Sequence, residues 1–288
     1  MGRSTRFSEA LESDEFIVTV ELRPPKGTDL QELFQKAELV SDLVAAVNVT
    51  DGCRARMHVS SLAVARLLKE RGHQVIYHLT CRDRNRIALQ ADLLGASVLG
   101  IENVLVLAGD HPLLGDHPGA SPVYDLDTTQ LLATAKLLSE GYDLAGKKLH
   151  GLPELCVGAA VNPNCEPIEL QLLMMEKKVR AGARFFQTQP IFDVKPYRDF
   201  YLHAQSCGTR IITGVLLLKS AKQAAILNRV PGIEIPERYV ARLEKTDRPE
   251  EEGVRITREL ICSIREFANG IHIMAPGKEE LIPQLLQS

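Results

Sequence analysis

Apolar, β-branched runs alternate with helix-patterned segments along almost the whole chain, and this alternation constrains the fold more tightly than any motif. Strand patterns fall near 16–21, 45–50, 74–80, 103–108, 155–161, 184–189, 210–217 and 269–274. Helical patterns lie near 29–42, 58–71, 84–95, 127–140, 167–181, 194–206 and 219–228, with three more near 236–244, 250–268 and 278–286. Runs such as Val104-Leu105-Val106-Leu107 are apolar at every position, as strands of a parallel sheet covered on both faces are. Eight such units in 288 residues fit an α/β fold of one domain, a closed (β/α)8 TIM barrel over 1–288, with extra helices at about 236–268 before the last strand. An open doubly wound sheet is the competitor. It calls for G-x-G-x-x-G after the first strand, and none is there.

Local signals mark several boundaries. Gly182 follows Lys177-Lys178-Val179-Arg180-Ala181 and suits the position just past a helix end, with basic residues favourably placed in the last turn. Ser60 suits an N-cap or first-turn position, and Asp127-Thr128-Thr129 opens the helix before Leu131-Leu132.

Bulk properties remove several function classes. A net charge of -3 gives no electrostatic case for nucleic acid or an anionic membrane. No apolar stretch reaches the length of a membrane span, and Met1-Gly2-Arg3-Ser4-Thr5-Arg6 lacks the apolar core of a signal peptide, so a cytoplasmic location is expected. The six cysteines are scattered without a C-x-x-C pair, and the histidines lack H-x-x-x-H spacing, so no metal site is expected. Contexts for a catalytic serine or cysteine are also missing.

What remains is a set of polar strand ends. In a barrel the carboxyl ends of the strands converge on one rim, where active sites form. Glu21 ends the first strand, just before the rigid Pro24-Pro25 turn, and is placed for acid/base work. Its apolar neighbours Val20 and Leu22 predict a raised carboxyl pKa, as a general acid at neutral pH needs. Later strands end in Asn48-Val49-Thr50-Asp51, His78-Leu79-Thr80-Cys81-Arg82-Asp83, Gly109-Asp110, Asn162-Pro163-Asn164 and Gln187-Thr188-Gln189-Pro190. Each has a plainer explanation: Thr50 and Asp51 as helix caps, His78 as a core histidine, Asp110 as a turn residue. Gln187 and Gln189 share one face of their strand, either the barrel interior or the outside. Together, five or six polar ends suit a heteroaromatic ligand rich in ring donors and acceptors.

At these strand ends the chain resembles the methylenetetrahydrofolate reductase family of flavin-bearing (β/α)8 barrels. The matching segments are Val20-Glu21-x-x-Pro24-Pro25, Val49-Thr50-Asp51, His78-Leu79-Thr80-Cys81, Asn103-Val104-Leu105-x-Leu107-x-Gly109-Asp110, Lys178-Val179-x-Ala181-Gly182-Ala183 and Thr188-Gln189-x-x-Phe192-Asp193. The resemblance implies reduction of 5,10-methylenetetrahydrofolate to 5-methyltetrahydrofolate, with Glu21 as general acid at the folate N10 and hydride from reduced flavin N5. It further implies that Gln189 holds the pterin and that Asp110 lies near both the flavin ring and the substrate. Thr50 and His78 match flavin contacts, and Lys178 a residue on the cofactor's phosphate side.

Departures from the family pattern bear on the cofactor and the electron donor. Ala108 stands where many members have an arginine near the flavin phosphates, Val161 where a tyrosine is common, and Gln171 and Met174 where polar residues occur. In the family these positions face the adenine and phosphate part of FAD, so FMN is an alternative to FAD. Ala221 replaces a phenylalanine that packs on NADH, so electrons come from NAD(P)H or from a partner electron-transfer subunit. A homo-oligomer is a further expectation from the family. The competing readings are a flavin-free, nicotinamide-dependent reductase of the same substrate and a non-redox barrel subunit that binds folate or transfers methyl groups.

Overall fold

A computed structural model describes residues 7–230 and 232–287. Met1–Arg6, read above as lacking a signal-peptide core, lie outside the described residues. Eight strands, β1 (Ile17–Leu22), β2 (Ala46–Val49), β3 (Val75–Thr80), β4 (Asn103–Leu107), β5 (Cys156–Val161), β6 (Phe185–Pro190), β7 (Arg210–Leu216) and β8 (Gly270–Met274), pair in chain order. Every pairing is parallel, and β8 closes on β1 through Thr19 opposite His272, so the sheet is a barrel without edges. Each strand lies within two residues of its sequence expectation.

The outward faces carry Val18, Val20, Leu22, Val47, Val49, Val104 and Val106, all in one core under the helices. These side chains, all but Leu22 β-branched, fit the pleated surface and fill the space between sheet and helices, each contributing about 1.5–3 kcal/mol on burial. The cover consists of α2 (Gln31–Val40), α3 (Ser61–Glu70), α4 (Arg86–Val98), α5 (Thr128–Ser139), α6 (Ile168–Arg180), α7 (Val194–Ala204) and α8 (Ala221–Leu227). The expected insertion before the last strand is present as α9 (Glu237–Glu244) and α10 (Pro249–Arg265), and α11 (Ile282–Leu286) follows β8. Gly253 lets α10 press against the Leu218 carbonyl, which any Cβ would strike. No helix among the described residues is long and apolar enough to cross a membrane.

The sequence reading missed α1 (Phe7–Ala10), which is too short to show a period. It closes the amino-terminal mouth of the barrel. Phe7 meets Phe185 edge to face at 5.3 Å, within a second apolar cluster that includes Ile17, Ala46, Ile76, Leu105 and Ile212. Gly158 is required beneath it, because a side chain there would enter the Phe185 ring.

The caps follow local chemistry. Asp127 accepts from Gln130 N at 2.7 Å while Gln130 Oε1 accepts from Asp127 N at 2.9 Å, a reciprocal pair that opens α5. Asp127→Ala is expected to cost about 1 kcal/mol, read as a lower urea midpoint at unchanged slope. Gly182 takes φ +114° just past α6. Ser60 sits at the N-cap of α3 without a side-chain cap bond.

Candidate active site

Inward-facing residues repeat every second position, so the barrel interior is built in layers. Above the apolar plug lies a polar belt of Thr19, Asn48, His78, Gln187 and His272, all buried. His78 Nε2 donates to Asn48 Oδ1 at 3.0 Å. Asn48 Nδ2 (3.4 Å) and Thr19 Oγ1 (3.0 Å) donate to His272 Nδ1, and Gln187 Nε2 reaches Thr19 Oγ1 at 3.5 Å. Burial pushes both imidazoles down to about 4, so they are neutral at pH 7, and the amide of Asn48 sets which ring nitrogen carries each proton. Sequence reasoning named His78 but missed the belt. Its signal was present in the period-two positions Thr19, Glu21 and Arg23.

Over the belt opens a cavity of about 560 Å3 at the carboxyl ends of the strands. Glu21, Thr50, His78, Asp110, Lys178 and Gln189 all line it, so six residues spread over 169 positions of sequence converge on one space. Gln187 and Gln189 both face inward; Gln187 is buried in the belt, and Gln189 reaches the exposed rim. Thr188 points away, and its hydroxyl accepts from Gly214 N at 2.8 Å.

Glu21 corrects one expectation. Burial does push its carboxyl upward, but Arg23, whose Nε donates to Glu21 Oε1 at 2.8 Å, takes it below the ordinary carboxylate range. His272 and His78 act in the same direction only when protonated, and both are neutral at pH 7, so Arg23 is the cation that matters. The raised value predicted from Val20 and Leu22 is therefore reversed. Those two side chains face the helices, and the neighbours that count are two residues along the same strand face and across the barrel.

Asp51 does not cap a helix. It lines the cavity wall, where its carboxylate accepts from Thr80 N (3.0 Å), Thr80 Oγ1 (2.8 Å) and Arg84 Nη1 (2.8 Å), tying the ends of β2 and β3 together. Arg82, also missed as a site residue, ties three loops, donating to Asp83, Gly52 O at 3.2 Å and Asp110 O at 3.4 Å. Asp110 itself is exposed on the rim, and among the described residues its carboxylate makes no ion pair. Lys178 is partly buried. Its Nζ donates to the Ala160 carbonyl at 2.7 Å, and burial lowers its pKa. A cation in that setting, held by a carbonyl and facing the cavity, suits an anionic ligand group such as a phosphate.

A family model for methylenetetrahydrofolate reductase matches residues 6–288. The chain belongs to the methylenetetrahydrofolate reductase family. Two bacterial enzymes named 5,10-methylenetetrahydrofolate reductase are similar along most of their length. That of Pectobacterium carotovorum is 25% identical over 274 residues, 92% of this chain and 87% of the relative. That of Salmonella typhimurium is 27% identical over the same shares. A solved Clostridium thermocellum protein, which binds two copies of 5-methyl-5,6,7,8-tetrahydrofolic acid, shares the fold with a TM-score of 0.69 at 16% identity, covering 97% of this chain and 95% of its own. As a methylenetetrahydrofolate reductase the chain is an oxidoreductase of one-carbon metabolism.

The departures from the family pattern fall unevenly on the site. Ala108 lines the cavity, whereas Val161 faces outward into the core under the helices. Gln171 and Met174 lie on α6 and do not line the cavity. Ala221 is the first residue of α8, directly after the capping Ser220.

Proposed function

We propose that the chain reduces 5,10-methylenetetrahydrofolate to 5-methyltetrahydrofolate with Glu21 as general acid and a bound flavin, FAD by family likeness. The observation that carries this reading is Glu21 itself: a carboxylate set into the cavity wall, 11% exposed, facing amide and carboxylate groups on the opposite strands. The residues present fit a flavin. Lys178 offers a cation to its phosphate side, Thr50 and His78 offer a hydroxyl and a ring edge, and Asp110 places negative charge where it would oppose the anionic reduced ring.

When bound, the flavin supplies the hydride. Gln189 and Asp110 hold the pterin by its ring donors and acceptors. Glu21 delivers a proton to N10, the bond between N10 and the methylene carbon breaks, and the carbon is left as an iminium on N5 that accepts hydride to become methyl. In the free protein Arg23 keeps Glu21 ionised. A substrate that displaces water from the cavity strengthens the burial effect and favours the protonated acid. The neutral His78 and His272 bring no competing charge.

Adding methylenetetrahydrofolate anaerobically to the reduced protein tests the reading. Return of oxidised-flavin absorbance is expected. Turnover by a colourless protein would favour direct hydride transfer from a nicotinamide, and folate binding without oxidation would favour a non-redox barrel.

Arg23→Gln gives a second test. Without the guanidinium, burial dominates and the Glu21 pKa rises. The folate half-reaction needs the protonated acid, so its decline with rising pH is expected to move to higher pH. A profile that stays in place rules out Arg23 as the group that sets the acid.

A further inference from the structure

The polar belt turns one hydrogen-bond donor toward the catalytic cavity. Asn48 bridges the two imidazoles: its Oδ1 accepts from His78 Nε2 at 3.0 Å, and its Nδ2 donates to His272 Nδ1 at 3.4 Å. Thr19 Oγ1 receives Gln187 Nε2 at 3.5 Å and directs its own proton to the same His272 nitrogen at 3.0 Å. Burial keeps both rings neutral at pH 7. A neutral imidazole carries a single N–H, so a nitrogen that accepts leaves the proton on the other. His78 therefore has its proton inside the belt and offers only an acceptor at Nδ1. His272 has its proton at Nε2.

That N–H finds no acceptor among the described residues. It is not sealed off either: His73 Nε2 is buried without a partner, but His272 Nε2 is not, and His272, only 4% exposed, lines the cavity. The donor also lies beside the acid. His272 stands opposite Thr19 in the β8–β1 pairing, and Glu21 is the next inward-facing residue above Thr19. A ligand group resting on His272 thus belongs to the ring system at the reacting centre. Such a ligand has to answer the N–H, because a donor cut off from water without an acceptor costs free energy. The donor is uncharged and suits an uncharged acceptor, of which a ring lactam carbonyl is the strongest on a fused nitrogen heterocycle.

We propose that His272 Nε2–H is a ligand-binding donor of the catalytic site, which holds a ring lactam carbonyl of the bound heterocycle. The inference rests on the reading of this cavity as a flavin and folate site. Flavin and pterin both carry such a carbonyl, so the chemistry is shared and the measurement separates the two sources. Thr19, Asn48 and His78 direct their donors within the belt and serve to hold the His272 ring in its tautomer.

Two substitutions separate ligand binding from packing of the belt. His272→Asn places an amide oxygen near the Nδ1 position, so it keeps the acceptor for Thr19 and Asn48 and removes the donor. His272→Gln places an amide nitrogen near the Nε2 position, so it keeps the donor and removes the acceptor. Flavin affinity, flavin reduction potential and the affinity of the oxidised protein for methylenetetrahydrofolate are measured for the wild type and both variants. His272→Asn is expected to weaken at least one ligand about tenfold, the size of one hydrogen bond, with His272→Gln closer to wild type. Weaker flavin binding with a lowered potential assigns the donor to the flavin carbonyl. Weaker folate binding at an unchanged potential assigns it to the pterin. If His272→Asn matches the wild type in all three, or His272→Gln is the weaker of the two variants, the proposal falls and the reading of the cavity stands. A wild type that binds neither flavin nor folate would overturn both. Nitrogen NMR of the histidine-labelled wild-type apoprotein gives a check that needs no variant. It is expected to show His272 protonated at Nε2 and bare at Nδ1, and the reverse tautomer would remove the donor.

Discussion

Glu21→Gln is expected to slow reoxidation of the reduced flavin by methylenetetrahydrofolate by about 10²- to 10⁴-fold, the range a positioned general acid supplies. Glutamine has nearly the same volume and keeps an oxygen for the Arg23 hydrogen bond, so the barrel and its bound flavin should persist. Stopped-flow absorbance measures the half-reaction, and the flavin spectrum and thermal midpoint check the rest. The size of the effect follows from the lack of a substitute. His78 and His272 are neutral near pH 7, and each has one ring nitrogen committed to the belt. Asp110 is exposed on the rim rather than set into the cavity wall as Glu21 is. Arg23 does not release a proton in this pH range. A variant with near-normal folate turnover would remove Glu21 from the chemistry and leave the cavity without an acid.

The fold was legible because parallel barrel strands are buried on both faces. Val104-Leu105-Val106-Leu107 needs no amphipathic pattern to be read, and the turn residues bound it. The candidate site was legible where a polar residue interrupts such a run at its carboxyl end, as Glu21, Thr50, His78 and Gln189 do. Three features were hidden, each for a physical reason. α1 has too few residues to show a period, although Phe7 fixes the floor of the barrel. The sign of the Glu21 shift depends on a long Arg23 side chain that turns back along its own strand, and the adjacent residues Val20 and Leu22 point the other way. A second, cation-lined cavity gathers residues from positions 23 to 222, with Lys36 on α2 and Lys222 on α8, and no local pattern announces that Arg54 and Lys222 share a space.

Asp51→Ala is expected to destabilise the protein by about 3 kcal/mol, the low end of the cost of removing one partner from a buried ion pair. The low end applies because Arg84 keeps a second partner, its Nε donating to Asp92 Oδ2 at 2.7 Å. The Asp51 side chain is only 10% exposed. Burial pushes its carboxyl up, but Arg84 and the two Thr80 donors prevail and hold it below the ordinary aspartate value of 3.8. A folded-state pKa below the unfolded one contributes stability that is fully present above the unfolded pKa and is lost as pH falls through the folded one. The gap between wild type and variant should therefore be widest at neutral pH and shrink on acidification. Urea unfolding at both ends of that window measures it, and a gap that is constant with pH would contradict the ion-pair account. The damage should also reach the site. Gly109 packs so closely that a Cβ there would lie 3.1 Å from Thr80 Cβ, and Asp110 follows it directly. Freeing Thr80 from Asp51 loosens the loop that presents Asp110, so flavin affinity should fall along with stability. Asp51→Asn, which keeps an acceptor for Thr80 but drops the charge, should fall between the two in stability and closer to wild type in flavin affinity. That ordering separates the role of Asp51 in holding the rim from any direct contact with the ligand.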